Sequence, residues 1–220
     1  MKFTENEIRN AMLLYAITDR SWLKEGESLA GVCENVLKNG ATFLQIREKD
    51  LDGDAFEKEA GELKELCGRY HVPFVVNDSV EIAIDIGADG VHVGQSDIRG
   101  RDIRAMIGPD KILGISAGTV EEARAAENAG ADYIGVGAVF GTSTKKDARN
   151  LTIEKLQEIS GSVSIPVVAI GGINRGNVKE LKGSGVDGIA VISAIFAAED
   201  PGQAARELLE LSKETVYGNE

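Results

Sequence analysis

The sequence predicts an α/β fold, a single (β/α)8 TIM barrel over residues 1–220 with a short N-terminal helix. Three observations lead there. Eight apolar runs of strand length alternate with longer amphipathic stretches, in the order βαβα rather than strands first and helices after. The runs are rich in Val and Ile on both faces, as in a parallel sheet covered by helices. Finally, an open doubly wound sheet would place a G-x-G-x-x-G turn after its first strand, and Asp19-Arg20-Ser21-Trp22 stands there instead.

The elements follow in order. Thr4-Glu5-Asn6-Glu7 reads as a capping box that opens the leading helix. The strands are expected at Leu13–Thr18, Thr42–Arg47, Pro73–Asn77, Gly90–Val93, Ile112–Ser116, Tyr133–Val139, Val167–Ile170 and Gly188–Ile192. Each is expected to have its own crossover helix, for example Phe56–Tyr70 and Val120–Ala129, the latter opened by a second capping box, Thr119-Val120-Glu121-Glu122. Three helix-to-strand joints repeat: Gly87-Ala88-Asp89, Gly130-Ala131-Asp132 and Gly185-Val186-Asp187. Glycine at each fits a left-handed C-cap that turns the chain back into the sheet. Eight units of about 25 residues suit a closed barrel.

Composition excludes several classes of partner. A chain of 220 residues, 43% hydrophobic, has enough apolar material for one large core. Its net charge of −12, with no Lys/Arg run, repels nucleic acid and anionic membrane. The longest apolar stretches, such as Ile189–Ala198, fall short of the roughly 20 residues needed to span a bilayer. No basic-then-apolar leader pattern is seen, so a cytoplasmic location is expected. Cys33 and Cys67 lie on apolar helix faces without ligand neighbours and read as buried thiols. A homo-oligomer is left open.

In such a barrel the site lies at the carboxyl ends of the strands, so the polar residues directly after each run become candidates. Gln45-Ile46-Arg47-Glu48-Lys49 puts two cations and an amide after strand two, although a solvated strand end would look the same. Asp78 and Asp97 follow strands three and four. Either could be a helix cap, but as a pair they suit a hard divalent cation that serves phosphates. Phe140-Gly141-Thr142-Ser143-Thr144-Lys145-Lys146 reads as an anion cradle, and Gly171-Gly172 and Ile192-Ser193 let a phosphate approach the backbone. His71 sits at a helix end, and His92, among valines, reads as a hydrogen-bonded core residue. The mouth thus suits two phosphorylated ligands, one of them a metal diphosphate.

Seven segments in register, Gln45–Lys49, Val76–Asp78, Gly90–Asp97, Gly114–Ser116, Thr142–Lys146, Gly171–Ile173 and Ile192–Ser193, together resemble the thiamine-phosphate synthase family. The resemblance implies a transferase that joins a pyrimidine diphosphate to a thiazole phosphate, with Mg2+ as cofactor and small phosphorylated heterocycles as partners. It implies that Gln45, Ile46, Arg47, Glu48, Lys49, Asn77, Ser116 and Lys145 bind the pyrimidine diphosphate, with Arg47, Lys49, Lys145 and Ser116 catalytic. It further implies that Asp78 and Asp97 hold the metal, and that Thr142, Ser143, Thr144, Gly172, Ile192 and Ser193 bind the thiazole phosphate. Gly141 departs from the proline common at that place, which removes a fixed φ and predicts a more mobile empty loop. Three alternatives stay open: a thiazole tautomerase on the same barrel, a Schiff-base aldolase using Lys145, and a non-catalytic phospholigand sensor.

Overall fold

The computed structural model describes residues 3–49, 51–141 and 151–218. Eight parallel strands close into a barrel in which each neighbours the next and β8 returns to β1. They are β1 (Leu14–Ile17), β2 (Phe43–Ile46), β3 (Phe74–Asn77), β4 (Gly90–Val93), β5 (Ile112–Ala117), β6 (Tyr133–Gly137), β7 (Val167–Ile170) and β8 (Gly188–Val191). Around them run α2 (Leu29–Lys38), α3 (Gly53–Tyr70), α4 (Val80–Asp85), α5 (Ile103–Ile107), α6 (Val120–Asn128), α7 (Ile153–Ser160), α8 (Ser193–Phe196) and α9 (Pro201–Tyr217), while α1 (Glu5–Ala11) precedes β1.

Side-chain alternation divides the apolar residues between two cores. Tyr15, Phe43, Val75, Ile112, Tyr133, Val168 and Ala190 point into the barrel, and Ile8 and Ala11 from α1, with Met12 directly after it, plug its amino end. Their strand neighbours, among them Leu44, Ile46, Val76, Val91 and Ile134, face outward against the helices. Both faces are buried, which is why the strands read as unbroken apolar runs.

Caps decide several boundaries. At α1 both halves of the capping box form, with the Thr4 amide donating to Glu7 Oε2 at 2.7 Å and the Glu7 amide to Thr4 Oγ1 at 3.3 Å. The second expected box forms only by half. The Glu122 amide donates to Thr119 Oγ1, but the Glu122 carboxylate takes the amide of Gly118, one residue earlier. The helix expected from Phe56 begins at Gly53, because Asp52 accepts from the Ala55 amide and so caps a turn earlier. Strand six stops at Gly137, short of the expected Val139. The expectation of a crossover helix after every strand fails after β7, where the described chain makes only a 3-10 turn at Val178–Leu181. With Asn174 and Asn177 side chains both tied to Gly172 O, this connection is held by side-chain caps rather than by helix length.

The repeated joints have a structural cause beyond the turn. Gly87, Gly130 and Gly185 all take positive φ, 64°, 80° and 78°. The aspartate two residues on then clamps the foot of the preceding strand. Asp89, Asp132 and Asp187 accept through their carboxylates from the amides of Phe74 (3.0 Å), Leu113 (2.8 Å) and Val167 (2.8 Å). Their own amides donate to the carbonyls of the same three residues. Each odd strand from β3 onward is thereby fastened to the even strand beside it. Among the described residues no helix is long and apolar enough to cross a membrane.

Candidate active site

A cavity of ≈ 410 Å³ opens where the strands end at their carboxyl termini. Such a volume lies in the usual range for a small-molecule site. One wall is built from β2 to β5 and is polar. The other, from β6 to β8, is made of glycines and apolar residues apart from Ser193.

Strand parity sorts the segment after Phe43. Gln45 and Arg47 line the cavity, and the buried Thr18 hydroxyl accepts the Arg47 amide at 2.9 Å, which sets where Arg47 leaves the strand. Ile46 and Glu48 point the other way. Ile46 is packed in the outer core. Glu48 has a side chain only 1% exposed and accepts from Arg20 Nε at 2.8 Å, while Arg20 also reaches Glu59. Burial holds the Glu48 carboxyl above its ordinary range, and the Arg20 guanidinium opposes that shift. Lys49 is exposed and does not line the cavity. The structure therefore brings Gln45 and Arg47 to the site and leaves Ile46 and Glu48 as bracing behind it.

Asn77 ends β3, and the Asp78 amide adds one more link to the ladder by donating to His92 O at 2.8 Å. Asp78 takes φ 62°, a left-handed conformation that aspartate tolerates better than most residues, and is exposed; like Asp97 it does not line the cavity. Its Oδ2 accepts from Asn77 Nδ2 at 2.6 Å. Asp97, half-buried in the turn after β4, accepts the Gly94 amide through Oδ2 at 2.8 Å. Because β3 and β4 pair in parallel, both acids stand at the same end of the barrel. Among the described residues no group of three or more His, Cys, Asp or Glu side chains forms a metal cage. A pair of carboxylates instead fits a cation whose remaining positions belong to water and ligand oxygens.

Ser116 on β5 and His92 on β4 complete the polar wall, with His92 Nε2 3.0 Å from Ser116 Oγ. His92 is hydrogen-bonded in the interior as expected, yet it also lines the cavity. Tyr15 and Gln95 were missed as wall residues. Gln95 donates to Ser116 O at 2.7 Å, and Tyr15 OH donates to Gln45 Oε1 at 2.6 Å. The available signal was a tyrosine inside an otherwise apolar strand, since a buried phenol needs a hydrogen-bond partner.

On the far wall, Gly171 and Gly172 adopt φ 102° and 66°. A Cβ at Gly172 would lie 2.5 Å from the carbonyl oxygens of both Phe140 and Gly141, so the loops after β6 and β7 touch backbone to backbone. Gly172, Ile192 and Ser193 all line the cavity. Thr142, Ser143, Thr144 and Lys145, like Lys146, lie outside the described residues.

A closed barrel with a ligand-sized cavity at the carboxyl ends of its strands, faced by guanidinium, amide, imidazole and hydroxyl groups, defines the class of (β/α)8 enzymes that act on small molecules. Comparison with known proteins narrows this. Residues 14–195 match the family described as thiamine monophosphate synthase. The thiamine-phosphate synthase of Clostridium tetani is 48% identical over 195 residues, 89% of this chain and 93% of that protein. That of Methanobrevibacter smithii is 47% identical over 197 residues, 90% and 93% of the two chains. The solved structure of thiamine phosphate pyrophosphorylase from Pyrococcus furiosus superimposes with a TM-score of 0.86 at 41% identity, covering 95% of this chain and 99% of that one. The chain belongs to the thiamine monophosphate synthase family and is an enzyme of the transferase class.

Proposed function

We propose that this chain is a Mg2+-dependent thiamine-phosphate synthase, which condenses 4-amino-2-methyl-5-(diphosphooxymethyl)pyrimidine with a thiazole phosphate to give thiamine phosphate and diphosphate. The bond between the pyrimidine methylene and the diphosphate oxygen breaks first, with its electron pair leaving on diphosphate. The thiazole nitrogen lone pair then forms the new C–N bond to that methylene. No covalent nucleophile on the protein is needed.

One observation carries the assignment of residues. A single cavity has Gln45, Arg47, Asn77 and Ser116 on one wall and Gly172, Ile192 and Ser193 on the other, so two ligands seated in it meet across its centre. The first wall would hold the aminopyrimidine by hydrogen bonds and its diphosphate through the Arg47 fork, joined at the rim by Lys49. The second would take the thiazole phosphate, with Thr142, Ser143 and Thr144 completing its cradle and Lys145 reaching the diphosphate. Holding the rings within attacking distance and placing fixed positive groups where charge grows on the leaving diphosphate are the two contributions the reaction requires. Asp78 and Asp97 would hold Mg2+, which when bound neutralises charge on the diphosphate oxygens.

The test mixes purified protein, Mg2+ and both heterocycles and follows diphosphate release with and without a chelator. Release should need both substrates and the metal. Asp78→Ala should lower turnover by about a hundred- to a thousandfold with an unchanged circular dichroism spectrum. Absence of product from the complete mixture would sink the reaction, and full activity in excess chelator would sink the metal assignment.

A further inference from the structure

Seven side chains form one unbroken hydrogen-bonded chain across the barrel, and with Asp78 ionised and His92 neutral donor accounting gives a direction to every link. At the rim stands the Asp78 carboxylate, which when ionised only accepts. The Asn77 group facing it at 2.6 Å is therefore the amide NH2. Asn77 must then turn its Oδ1 to Gln45, whose Nε2 donates at 2.5 Å. That leaves Gln45 Oε1 to accept the Tyr15 hydroxyl at 2.6 Å. A phenol has one proton. With it committed, the Tyr15 oxygen accepts from Tyr133 at 2.7 Å, and the Tyr133 oxygen in turn accepts from His92 Nδ1–H at 2.9 Å. A neutral imidazole protonated at Nδ1 accepts at Nε2, so the last link, 3.0 Å, is donated by the Ser116 hydroxyl.

A second, independent feature is the room made for this chain. A Cβ at Gly114 would lie 2.2 Å from Tyr133 Cζ and 2.5 Å from His92 Nδ1, and one at Gly135 would lie 3.2 Å from His92 Cε1. Two adjacent strands thus lack side chains where the imidazole and phenol meet. Tyr133 is fully buried and does not line the cavity.

We infer that Tyr133 is a positioning residue that sets substrate specificity from beneath the cavity floor. By keeping His92 in its Nδ1–H form it commits the Ser116 proton inward, so that Ser116 offers the ligand lone pairs and no proton. A wall of that polarity selects a heterocycle carrying an amino donor over its hydroxy analogue. The ligand half of this inference rests on the reading that Ser116 faces the pyrimidine, whereas the tautomer half concerns the empty protein alone.

The test uses Tyr133→Phe, which keeps the ring and removes the hydroxyl. Long-range 1H–15N correlation spectra resolve imidazole tautomers, and with two histidines in the chain His71 serves as the internal reference. At neutral pH His92 should carry its proton on Nδ1 in the wild type and on Nε2 in Tyr133→Phe. Titration with the aminopyrimidine diphosphate and with its 4-hydroxy analogue, Mg2+ present, should show the ratio of affinities falling by about tenfold or more in the variant, with thiazole phosphate binding unchanged. Should Tyr133→Phe not fold, Ser116→Ala offers the same comparison: the preference should vanish while His92 keeps its Nδ1 proton. A wild-type His92 protonated on Nε2 or on both nitrogens overturns the inference. So does a tautomer switch that leaves the ligand preference intact. A wild type that binds neither pyrimidine refutes the ligand half together with the functional reading, and the spectrum still decides the tautomer half.

Discussion

Adding one methyl group at each of two glycines should move stability in opposite directions, by amounts that follow from their surroundings. At Gly114, on the inner face of β5, a new Cβ would sit 2.2 Å from Tyr133 Cζ, 2.3 Å from its hydroxyl and 2.5 Å from His92 Nδ1. Both rings are held in a packed interior and cannot swing aside as a flexible side chain would. Overpacking of this kind costs about 1–3 kcal/mol, and loosening the His92–Tyr133 hydrogen bond adds about 1 kcal/mol. For a chain of this size each kcal/mol is worth roughly 2–4 °C in melting temperature, so Gly114→Ala should melt about 4–16 °C lower. Gly61, in the middle of α3, has nothing within 4 Å of the same added atom and no positive φ. There alanine gains about 0.8–1 kcal/mol of helix propensity, and the variant should melt a few degrees higher, about 2–4 °C. Thermal unfolding followed by circular dichroism at matched concentration checks both. If Gly114→Ala melts at or above the wild-type temperature, the barrel interior is not packed as described, and the argument from missing side chains falls with it.

Two further outcomes are expected. Ser193→Asp places a carboxylate beside the proposed thiazole phosphate and should weaken that ligand by about tenfold or more through like-charge repulsion, while leaving the pyrimidine diphosphate nearly untouched. Equal losses in separate titrations of the two ligands would refute a divided cavity. Cys33 and Cys67 are both free and 0% exposed, and burial pushes both thiols up, away from the reactive thiolate. A chromogenic disulfide reagent at pH 8 should therefore find no thiol in the native protein and both after denaturation. Rapid reaction of the native chain would show that α2 and α3 separate in solution.

Most of the barrel was legible because its signals are local. Apolar runs, caps and glycine joints each act within a few residues, and a parallel closed sheet is the arrangement that buries both faces of every strand. The errors had equally local causes. Glu122 chose the Gly118 amide over that of Thr119, and Asp52 began α3 a turn early. At the site, the rule that polar residues gather after the strands pointed to Gln45, Arg47, Asp78 and Asp97, and the family resemblance added Asn77 and Ser116; of these, Gln45, Arg47, Asn77 and Ser116 line the cavity. The rule did not separate Arg47 from Glu48, adjacent residues of which one enters the cavity and the other is buried against Arg20.

The sequence by itself determined the number and order of the strands and the helices between them, except after β7, and through them which end of the barrel would carry the chemistry. Tertiary structure alone decided what each polar group touches. Tyr15 and Tyr133 are 118 residues apart and share a hydrogen bond, and Gly114 and Gly135 are bare because of rings contributed by other strands. Even the thrice-repeated Gly-x-Asp, plain in the sequence as a turn, owes its aspartate to a backbone amide about twenty residues earlier. The physical reason is one of range: backbone preference and hydrophobic periodicity are properties of a short stretch of chain, whereas a buried polar group is satisfied by whatever donor or acceptor barrel closure brings within about 3 Å.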